Sequence, residues 1–346
     1  MDKKDEIILQ QLETIRTMTE RNLRSMGGDF WGTPFENVTG APEKKPASKD
    51  GGGKPAAAQP AEKKADEPEP LPKENLADLQ AELDSYIGLA DVKEEVKNLI
   101  NMVNVYKLRR AHDLPTTDMS LHMVFTGNPG TGKTMMARMM ARIYRSLDIL
   151  SKGQLVEVDR SGLVAGYVGQ TALKTQKVIE KAMGGVLFID EAYALNGKSE
   201  NDFGQEAIDT ILKAMEDHRD DLVVIVAGYT DLMEKFIHSN PGLESRFNRF
   251  LLFEDYSSDE MLAIFRMQCK KGCYQLAEGT EELVRDYINE ENGDPETFGN
   301  ARGVRNCFEH ILVAQNNRLA AMESVTKDDL MTIIPDDVLY ARGKLD

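Results

Sequence analysis

Short apolar runs alternate with helical segments through the middle of the chain. A helix is predicted from about Asp91 to Arg110, because its apolar residues recur at helical spacing and form one stripe. The stripe consists of Val92, Val96, Leu99, Val103 and Tyr106. The apolar runs that follow are HMVFTG, QLVEVD, GVLFID, DLVVIVAGY and RFLLFEDY. Continuous apolar runs separated by helices predict an α/β fold, with a five-stranded parallel sheet covered by helices on both faces.

The pattern changes after Tyr256, where the strands stop and helical spacing takes over. Ser257 and Ser258 are typical helix caps, and further helices are predicted at about 259–273, 280–291 and 301–322. We therefore expect a large α/β domain over residues 76–256 and a small helical domain over residues 257–346.

The first part of the chain differs from the rest. Residues 1–26 have the spacing of an amphipathic helix. In the next segment, 27–75, lie eight of the thirteen prolines, with many Gly, Ala, Lys and Glu residues. Such a composition buries too little apolar surface to offset its ordering entropy, so we expect a disordered linker. The helix is then a docking element for a partner, a solubilising tail or a helix that packs on its own subunit.

Composition narrows the choice of partners. The 346-residue chain carries a net charge of −16, which disfavours nucleic acid because phosphate contacts normally need a basic face. The sequence has no apolar run of about 20 residues that could cross a bilayer. The N-terminus lacks the features of a signal peptide, so a cytoplasmic location is expected.

Cysteine and histidine positions leave a metal site open. Cys269 and Cys273 are four residues apart, and Cys307 and His310 are three apart, so four ligands could converge if both segments are helical. The alternative is that the thiols fill helix interfaces as small apolar groups.

A phosphate-binding loop follows the first apolar run. The motif G-x-x-x-x-G-K-[ST] lies between a predicted strand and a predicted helix, which is the context that its mechanism requires. Its residues are Gly127, Asn128, Pro129, Gly130, Thr131, Gly132, Lys133 and Thr134. The glycines allow backbone N–H groups to face the phosphates of ATP, and the helix N-terminus adds its positive dipole. Lys133 is expected to reach the β- and γ-phosphates, and Thr134 to ligate Mg²⁺.

A second apolar strand, GVLFID, ends in two acidic residues. Asp190 is the candidate for holding Mg²⁺, as in other P-loop enzymes. Glu191 is the candidate general base that orients and deprotonates the attacking water, a role worth about 10²–10⁴ in rate. Together with the lysine loop, these carboxylates predict an ATP phosphohydrolase.

These motifs, with several others, resemble an AAA+ ATPase with a helical lid domain. The segments YIGL, AGYVGQT, FIDEAY, VIVAGY, SRF and GNARGVRN occur in the family's order over about residues 76–340. They are most similar to the clade of stage V sporulation protein K, the red-type Rubisco activases and the ATPases associated with type VII secretion.

The resemblance implies further site residues. Ile87 and Gly88 would lie against adenine, and Arg246 would be the arginine finger that completes the neighbouring subunit's site, ahead of Arg249. Arg302 would be the lid arginine that touches the γ-phosphate of its own subunit's ATP. The family often has an asparagine at the end of the fourth strand, where this chain has Tyr229, so the sensor-1 residue stays open between Tyr229 and Thr230.

The resemblance also implies a pore loop. Tyr167, Val168 and Gly169 match the aromatic–aliphatic–glycine loop with which ring ATPases grip a polypeptide, and the alternative is a tyrosine in a subunit interface. Asn196 to Asp202 is a candidate second pore loop. The implied function is an ATP-hydrolysing homo-oligomeric ring, a hexamer, that threads or remodels a protein substrate. An ATP-gated scaffold, a DNA-acting motor and a P-loop kinase are the alternatives.

Overall fold

A computed structural model describes residues 70–117, 120–167, 169–197 and 203–344. The predicted helix 1–26 and all but the last six residues of the predicted linker 27–75 lie outside the described residues. The strands of the large domain are β1 (Met123–Gly127), β2 (Leu155–Val158), β3 (Val186–Ile189), β4 (Val223–Gly228) and β5 (Phe250–Phe253). Its helices are α1 (Leu76–Ser85), α2 (Ala90–Ala111), α3 (Lys133–Ser146), α4 (Arg160–Leu163), α5 (Thr171–Ala182), α6 (Gly204–Asp217), α7 (Thr230–His238) and α8 (Pro241–Arg246).

The five strands form one parallel sheet in the order β2-β3-β4-β1-β5. One face is covered by α1, α2 and α3 through a buried apolar cluster, and the other by α5 to α8 through a second cluster. The predicted α/β fold, with a parallel sheet between two helical layers, is therefore confirmed. This arrangement brings the carboxyl ends of β1, β3 and β4 to one edge, where ligands of open parallel sheets bind.

The lid has its own apolar core, as separate layers of structure require. Its helices are α9 (Ser258–Lys271), α10 (Thr280–Glu291), α11 (Pro295–Phe298), α12 (Ala301–Ala320), α13 (Lys327–Met331) and α14 (Pro335–Ala341). The expectation that strands stop after Tyr256 is wrong, because β6 (Gln275–Leu276) and β7 (Thr332–Ile333) form a small parallel pair. Strands of this length are too short to produce a recognisable alternation of apolar residues.

One edge of the large sheet is apolar and exposed. Residues of β5 alternate between buried and exposed, so that Phe250 and Leu252 are 54% and 51% exposed on the face away from α2. Within the described part of the chain, β5 pairs with β1 alone. None of the helices in that part is long and apolar enough to cross a membrane.

The four candidate metal ligands of the lid lie in different environments. Cys269 and Cys307 are buried in the apolar core, whereas Cys273 is exposed. Burial raises the pKa of both buried thiols to about 12, which disfavours the thiolate that a metal needs. His310 Nδ1 lies 3.2 Å from the hydroxyl of Tyr287. The described residues contain no cluster of three or more His, Cys, Asp or Glu side chains suited to a metal ion.

Candidate active site

The phosphate loop connects the end of β1 to the start of α3. Gly127, Gly130 and Gly132 have φ values of 138°, 71° and 99°, a region that favours glycine. Gly127 also permits a close approach, since a Cβ there would lie 2.2 Å from the carbonyl oxygen of Phe253. The glycines therefore set the path of the loop into the helix N-terminus.

The loop has the donor groups that a nucleotide's phosphates need. In the described part of the chain, the amide N–H groups of Gly130, Thr131 and Gly132 have no protein acceptor. Free N–H groups at a helix N-terminus form an anion site, and buried ones need a partner. The geometry of the loop thus fits phosphate.

Lys133 turns back onto the same loop. Its Nζ donates to the carbonyl oxygens of Gly127 and Asn128, at 2.8 and 2.7 Å. The pKa of Lys133 is lowered to about 8, mainly by burial and in part by nearby Arg302, while Asp190 opposes the shift. A buried cation with only carbonyl partners is poorly compensated, so an anionic ligand in the cavity would stabilise it.

A cavity of about 360 Å³ lies beside the loop. It is lined by Gly127, Pro129, Gly130, Gly132, Lys133, Thr134, Glu157, Asp190, Glu191, Gly228, Tyr229, Arg302 and Arg305. Ten of these thirteen residues are among the site residues expected from the sequence. Glu157, Gly228 and Arg305 are the three that it missed.

Three carboxylates converge on this cavity. Asp190 follows β3 and accepts a hydrogen bond from the Glu191 amide at 3.0 Å, and Glu191 has a φ of 48°. A non-glycine residue in this left-handed region carries strain that often marks a functional position. Burial raises the pKa of Glu157, which also lies near Asp190, although Arg138 pairs with it at 3.0 Å. The one sequence signal for Glu157 was a charged residue inside an apolar strand.

The far wall of the cavity comes from β4 and from the lid. Tyr229 follows β4, and its ring lies 6.1 Å from that of Tyr193. Gly228 allows this packing, since a Cβ there would lie 2.7 Å from the Tyr193 ring. Arg302 and Arg305 reach the cavity from the first turns of α12, so lid and large domain share the site.

Four other expected residues lie outside the cavity lining. Asn128 and Thr131 belong to the loop, but their side chains bond elsewhere, to Asp255 and to the carbonyl of Asn128. Ile87 packs against the lid core, and Gly88, with φ 64°, lies beside Tyr256. These two residues therefore occupy the junction between the domains.

Arg246 also lies outside the cavity lining, at the end of α8. Its Nη2 is 3.3 Å from Glu216, and its Nε is buried without a partner. Arg249 is tied to its own subunit, because its Nε donates to the carbonyl of Ser120 at 3.1 Å.

The candidate pore loop connects α4 to α5. Tyr167 is 74% exposed, and a Cβ added to Gly166 or Gly169 would meet no atom within 4 Å. The base of the loop is fixed, because the buried Thr171 hydroxyl accepts from the Ala165 amide at 3.1 Å. Val168 lies outside the described residues, and so does the second candidate loop, Asn196 to Asp202, from residue 198 onwards.

Comparison with known proteins places this architecture in a family. The model of the ATPase family associated with various cellular activities (AAA) matches residues 123–255, and that of the AAA lid domain matches residues 257–345. The chain belongs to the AAA family. The match covers both parts of the nucleotide site described above, and a member of this family binds nucleotide and hydrolyses ATP.

The relatives also identify the clade. The chain is 43% identical to a CfxQ homolog of Guillardia theta, over 78% of this chain and 93% of the relative. It is 44% identical to the chloroplastic ribulose bisphosphate carboxylase/oxygenase activase of Cyanidioschyzon merolae, over 78% and 92%. Identity to stage V sporulation protein K of Bacillus subtilis is 40%, over 76% and 82%. The clade predicted from the motifs is confirmed.

Solved structures agree with the fold. A RuvB point mutant from Thermotoga maritima has a TM-score of 0.50 and 18% identity, covering 75% of this chain and 71% of that one. At this identity, the similarity concerns the fold alone.

Proposed function

We propose that the chain is an ATP-driven motor that assembles into a homo-oligomeric ring, a hexamer, and threads a protein substrate through the central pore. The observation that carries this proposal is the loop of Tyr167. A large aromatic side chain that is 74% exposed, on a loop with a fixed base and a glycine on either side, suits contact with another polypeptide.

Hydrolysis follows from the arrangement of the cavity. Phosphates bound by the loop amides and Lys133 place the γ-phosphoryl group towards the carboxylates. Glu191 orients and deprotonates the attacking water, and Arg302 stabilises the charge that develops on the γ-phosphoryl oxygens. Tyr229 lines the same wall of the cavity as Arg302, which supports a role for it in holding the water.

The residues present also fit Mg²⁺. Thr134 and Asp190 line the cavity and supply a hydroxyl and a carboxylate oxygen, which are ligands that this hard cation prefers. When bound, Mg²⁺ would neutralise charge on the β- and γ-phosphates. Three carboxylates, those of Asp190, Glu191 and the partly desolvated Glu157, line the cavity together. Their negative charges favour a cation at this position.

Assembly follows from the position of Arg246. Its side chain does not line its own cavity, and its guanidinium makes only long contacts within the described part of its own chain, 3.4 Å from Nη1 to the Gly242 carbonyl and 3.3 Å from Nη2 to Glu216. A phosphate of a neighbouring subunit's nucleotide would replace these contacts with a stronger one. A nucleotide site that needs Arg246 from an adjacent subunit is complete only when two subunits are in contact. Head-to-tail contacts of this kind close most simply as a ring.

The domain boundaries and the front segment complete the proposal. We assign the ATPase domain to residues 76–256 and the lid to 257–346, and residues 1–26 to partner docking on a linker formed by 27–75. A relative that is named as the activase of an enzyme supports a protein as the substrate of this chain.

Photo-crosslinking tests the pore assignment. A crosslinking amino acid replaces Tyr167 in a Glu191→Gln chain, which binds ATP without hydrolysing it, and the complex is exposed to cell extract. We expect a polypeptide to be crosslinked at position 167 with ATP and not with ADP. The same crosslinking amino acid at Leu108, which is 61% exposed on α2, controls for nonspecific crosslinking. Equal capture at both positions would contradict the pore assignment.

Substitution of the same residue separates chemistry from gripping. Tyr167→Ala should keep ATP turnover within about twofold, because the side chain does not line the nucleotide cavity, and should abolish remodelling of the captured substrate. Tyr167→Phe keeps the aromatic side chain and should retain remodelling. Remodelling by Tyr167→Ala at the wild-type rate would refute the role of the loop.

A further inference from the structure

The carbonyl groups of the phosphate loop are all occupied. The oxygens of Gly127 and Asn128 accept from Lys133, and the Asn128 oxygen also accepts from the Thr131 hydroxyl at 2.8 Å. The next three carbonyls, of Pro129, Gly130 and Thr131, accept from groups outside the loop. Since each peptide carries its N–H and C=O in opposite directions, holding these carbonyls outward keeps the following N–H groups facing the cavity.

The groups that hold the three carbonyls come from the lid and from the segment that leads into it. Asn300 Nδ2 donates to the Pro129 carbonyl at 3.3 Å, and the Ala301 amide donates to the Gly130 carbonyl at 3.3 Å. The Tyr256 hydroxyl donates to the Thr131 carbonyl at 3.2 Å.

Asn300 also joins these donors to one another. It is fully buried, its Oδ1 accepts from the Tyr256 amide at 2.9 Å, and its Nδ2 donates to Asp255 at 2.7 Å. Asp255 in turn accepts from the side chain of Asn128 at 3.1 and 2.9 Å. One hydrogen-bonded network therefore connects the loop, through Asn128 and Pro129, to Asp255 and to Asn300 of the lid.

Backbone geometry shows that this network constrains the lid. Asn300 has φ 53° and ψ −125°, a conformation that glycine adopts far more readily. The lid backbone also comes close to the loop, since a Cβ on Gly130 would lie 2.1 Å from the carbonyl oxygen of Gly299. A strained, buried residue whose side chain makes three hydrogen bonds is held in place by those bonds.

We propose that Asn300, Ala301 and Tyr256 are positioning groups that keep the phosphate loop ready for nucleotide, so that the position of the lid sets nucleotide affinity. A rotation of the lid that breaks these bonds releases three consecutive loop carbonyls. The loop N–H groups that bind phosphate are then no longer held towards the cavity, and nucleotide binding weakens. By thermodynamic linkage, bound nucleotide must stabilise the same lid position by an equal free energy. The proposal depends on nucleotide binding and not on the pore function.

A pair of matched tyrosine variants tests the proposal. Tyr256→Phe removes the hydroxyl that bonds to the loop and keeps the ring in the lid core. Tyr287→Phe is the control, because it removes the hydroxyl of another buried tyrosine of the lid core, whose partner, His310, is not part of the loop. Nucleotide affinity is measured by titrating the full chain with a fluorescent ADP analogue, alongside the melting temperature.

We expect Tyr256→Phe to weaken ADP binding by about two- to tenfold, as loss of one neutral hydrogen bond predicts, and Tyr287→Phe to bind like the wild type. Asn300→Gly relieves the backbone strain but removes the side-chain bonds, so it should weaken binding at least as much. Wild-type affinity in both Tyr256→Phe and Asn300→Gly would overturn the proposal. If Asn300→Gly fails to fold, the comparison of the two tyrosine variants decides alone. Because no substrate protein is present, failure of the pore function would leave this result unchanged.

Discussion

Mixing two inactive variants tests whether Arg246 completes the site of a neighbouring subunit. Glu191→Gln removes the proposed base and should lower turnover by about 10²–10⁴-fold. Arg246→Ala removes the cation that stabilises the transition state and should lower it by about 10³–10⁵-fold. Each homogeneous ring is then inactive for a different reason.

Restored activity in mixed rings follows from where the two residues lie. Glu191 lines the cavity of its own chain, whereas Arg246 does not. A site is intact when its cavity belongs to an Arg246→Ala subunit and its arginine belongs to a Glu191→Gln subunit. With random mixing at equal amounts, about one quarter of the sites meet both conditions, so turnover should reach about a quarter of the wild-type value.

The assay is steady-state phosphate release at fixed total protein and varied ratio of the two variants. The expected curve is a parabola with its maximum at equal mixing and almost no activity at either end. Energy transfer between labelled subunits confirms that the rings exchange subunits. The matched control is Arg249→Ala, whose guanidinium bonds to its own subunit, and which should stay active by itself.

Mixtures that remain as inactive as their components, with subunit exchange demonstrated, would refute action in trans. Activity restored by mixing Glu191→Gln with wild type in simple proportion would not count, since each wild-type subunit brings its own cavity. Loss of activity in Arg249→Ala with retention in Arg246→Ala would move the assignment to the other arginine.

Two further predictions concern stability. Burial lowers the pKa of His122 from 6.5 to about 4. Between these two pH values, the unfolded chain binds more protons at this residue than the folded chain does. The free energy of unfolding is therefore at its full value above pH 6.5 and decreases as the pH falls towards 4. About 3 kcal/mol should be lost in total, with about 2 kcal/mol of it gone by about pH 5, as measured by denaturant unfolding. His122→Gln should remove this component, and an unchanged pH profile would contradict it. Arg318→Met leaves the Asp337 carboxylate, which is 1% exposed, without its partner at 2.7 Å, so the lid should lose about 3–5 kcal/mol of stability. Asp337→Asn combined with Arg318→Met should recover part of the loss, and equal stability of wild type and Arg318→Met in thermal melts would rule this out.

The parts of the site that were predictable from the sequence are those carried by contiguous residues. The loop from Gly127 to Thr134 contains its own turn glycines and helix start, and Asp190 follows directly on an apolar strand. Short-range geometry therefore fixes where these side chains lie. The predicted helices were also close to those observed, because their apolar stripes and caps are local signals, such as Ser257 with Glu260.

The parts that were missed depend on contacts between distant residues. Asn300 lies 171 positions from Pro129, with which it bonds, and neither residue signals the other in the sequence. Glu157 and Arg305 reach the cavity because of sheet order and lid position, which a single sequence does not specify. The roles of Arg246 and Tyr167 depend on other chains, so they remain predictions.

The exposed apolar residues of β5 have a consequence for the protein in concentrated solution. Among the described residues, β5 pairs on one side only, and it carries two large exposed apolar side chains, Phe250 and Leu252. Such an edge strand is a template for unwanted strand pairing between copies. A net charge of −16 opposes such encounters by mutual repulsion. At about 1 M salt the screening length falls to roughly 3 Å, and this protection is lost. The acidic composition that disfavoured nucleic acid thus also protects the protein against aggregation. Concentrated stocks of the protein should therefore be kept at low ionic strength.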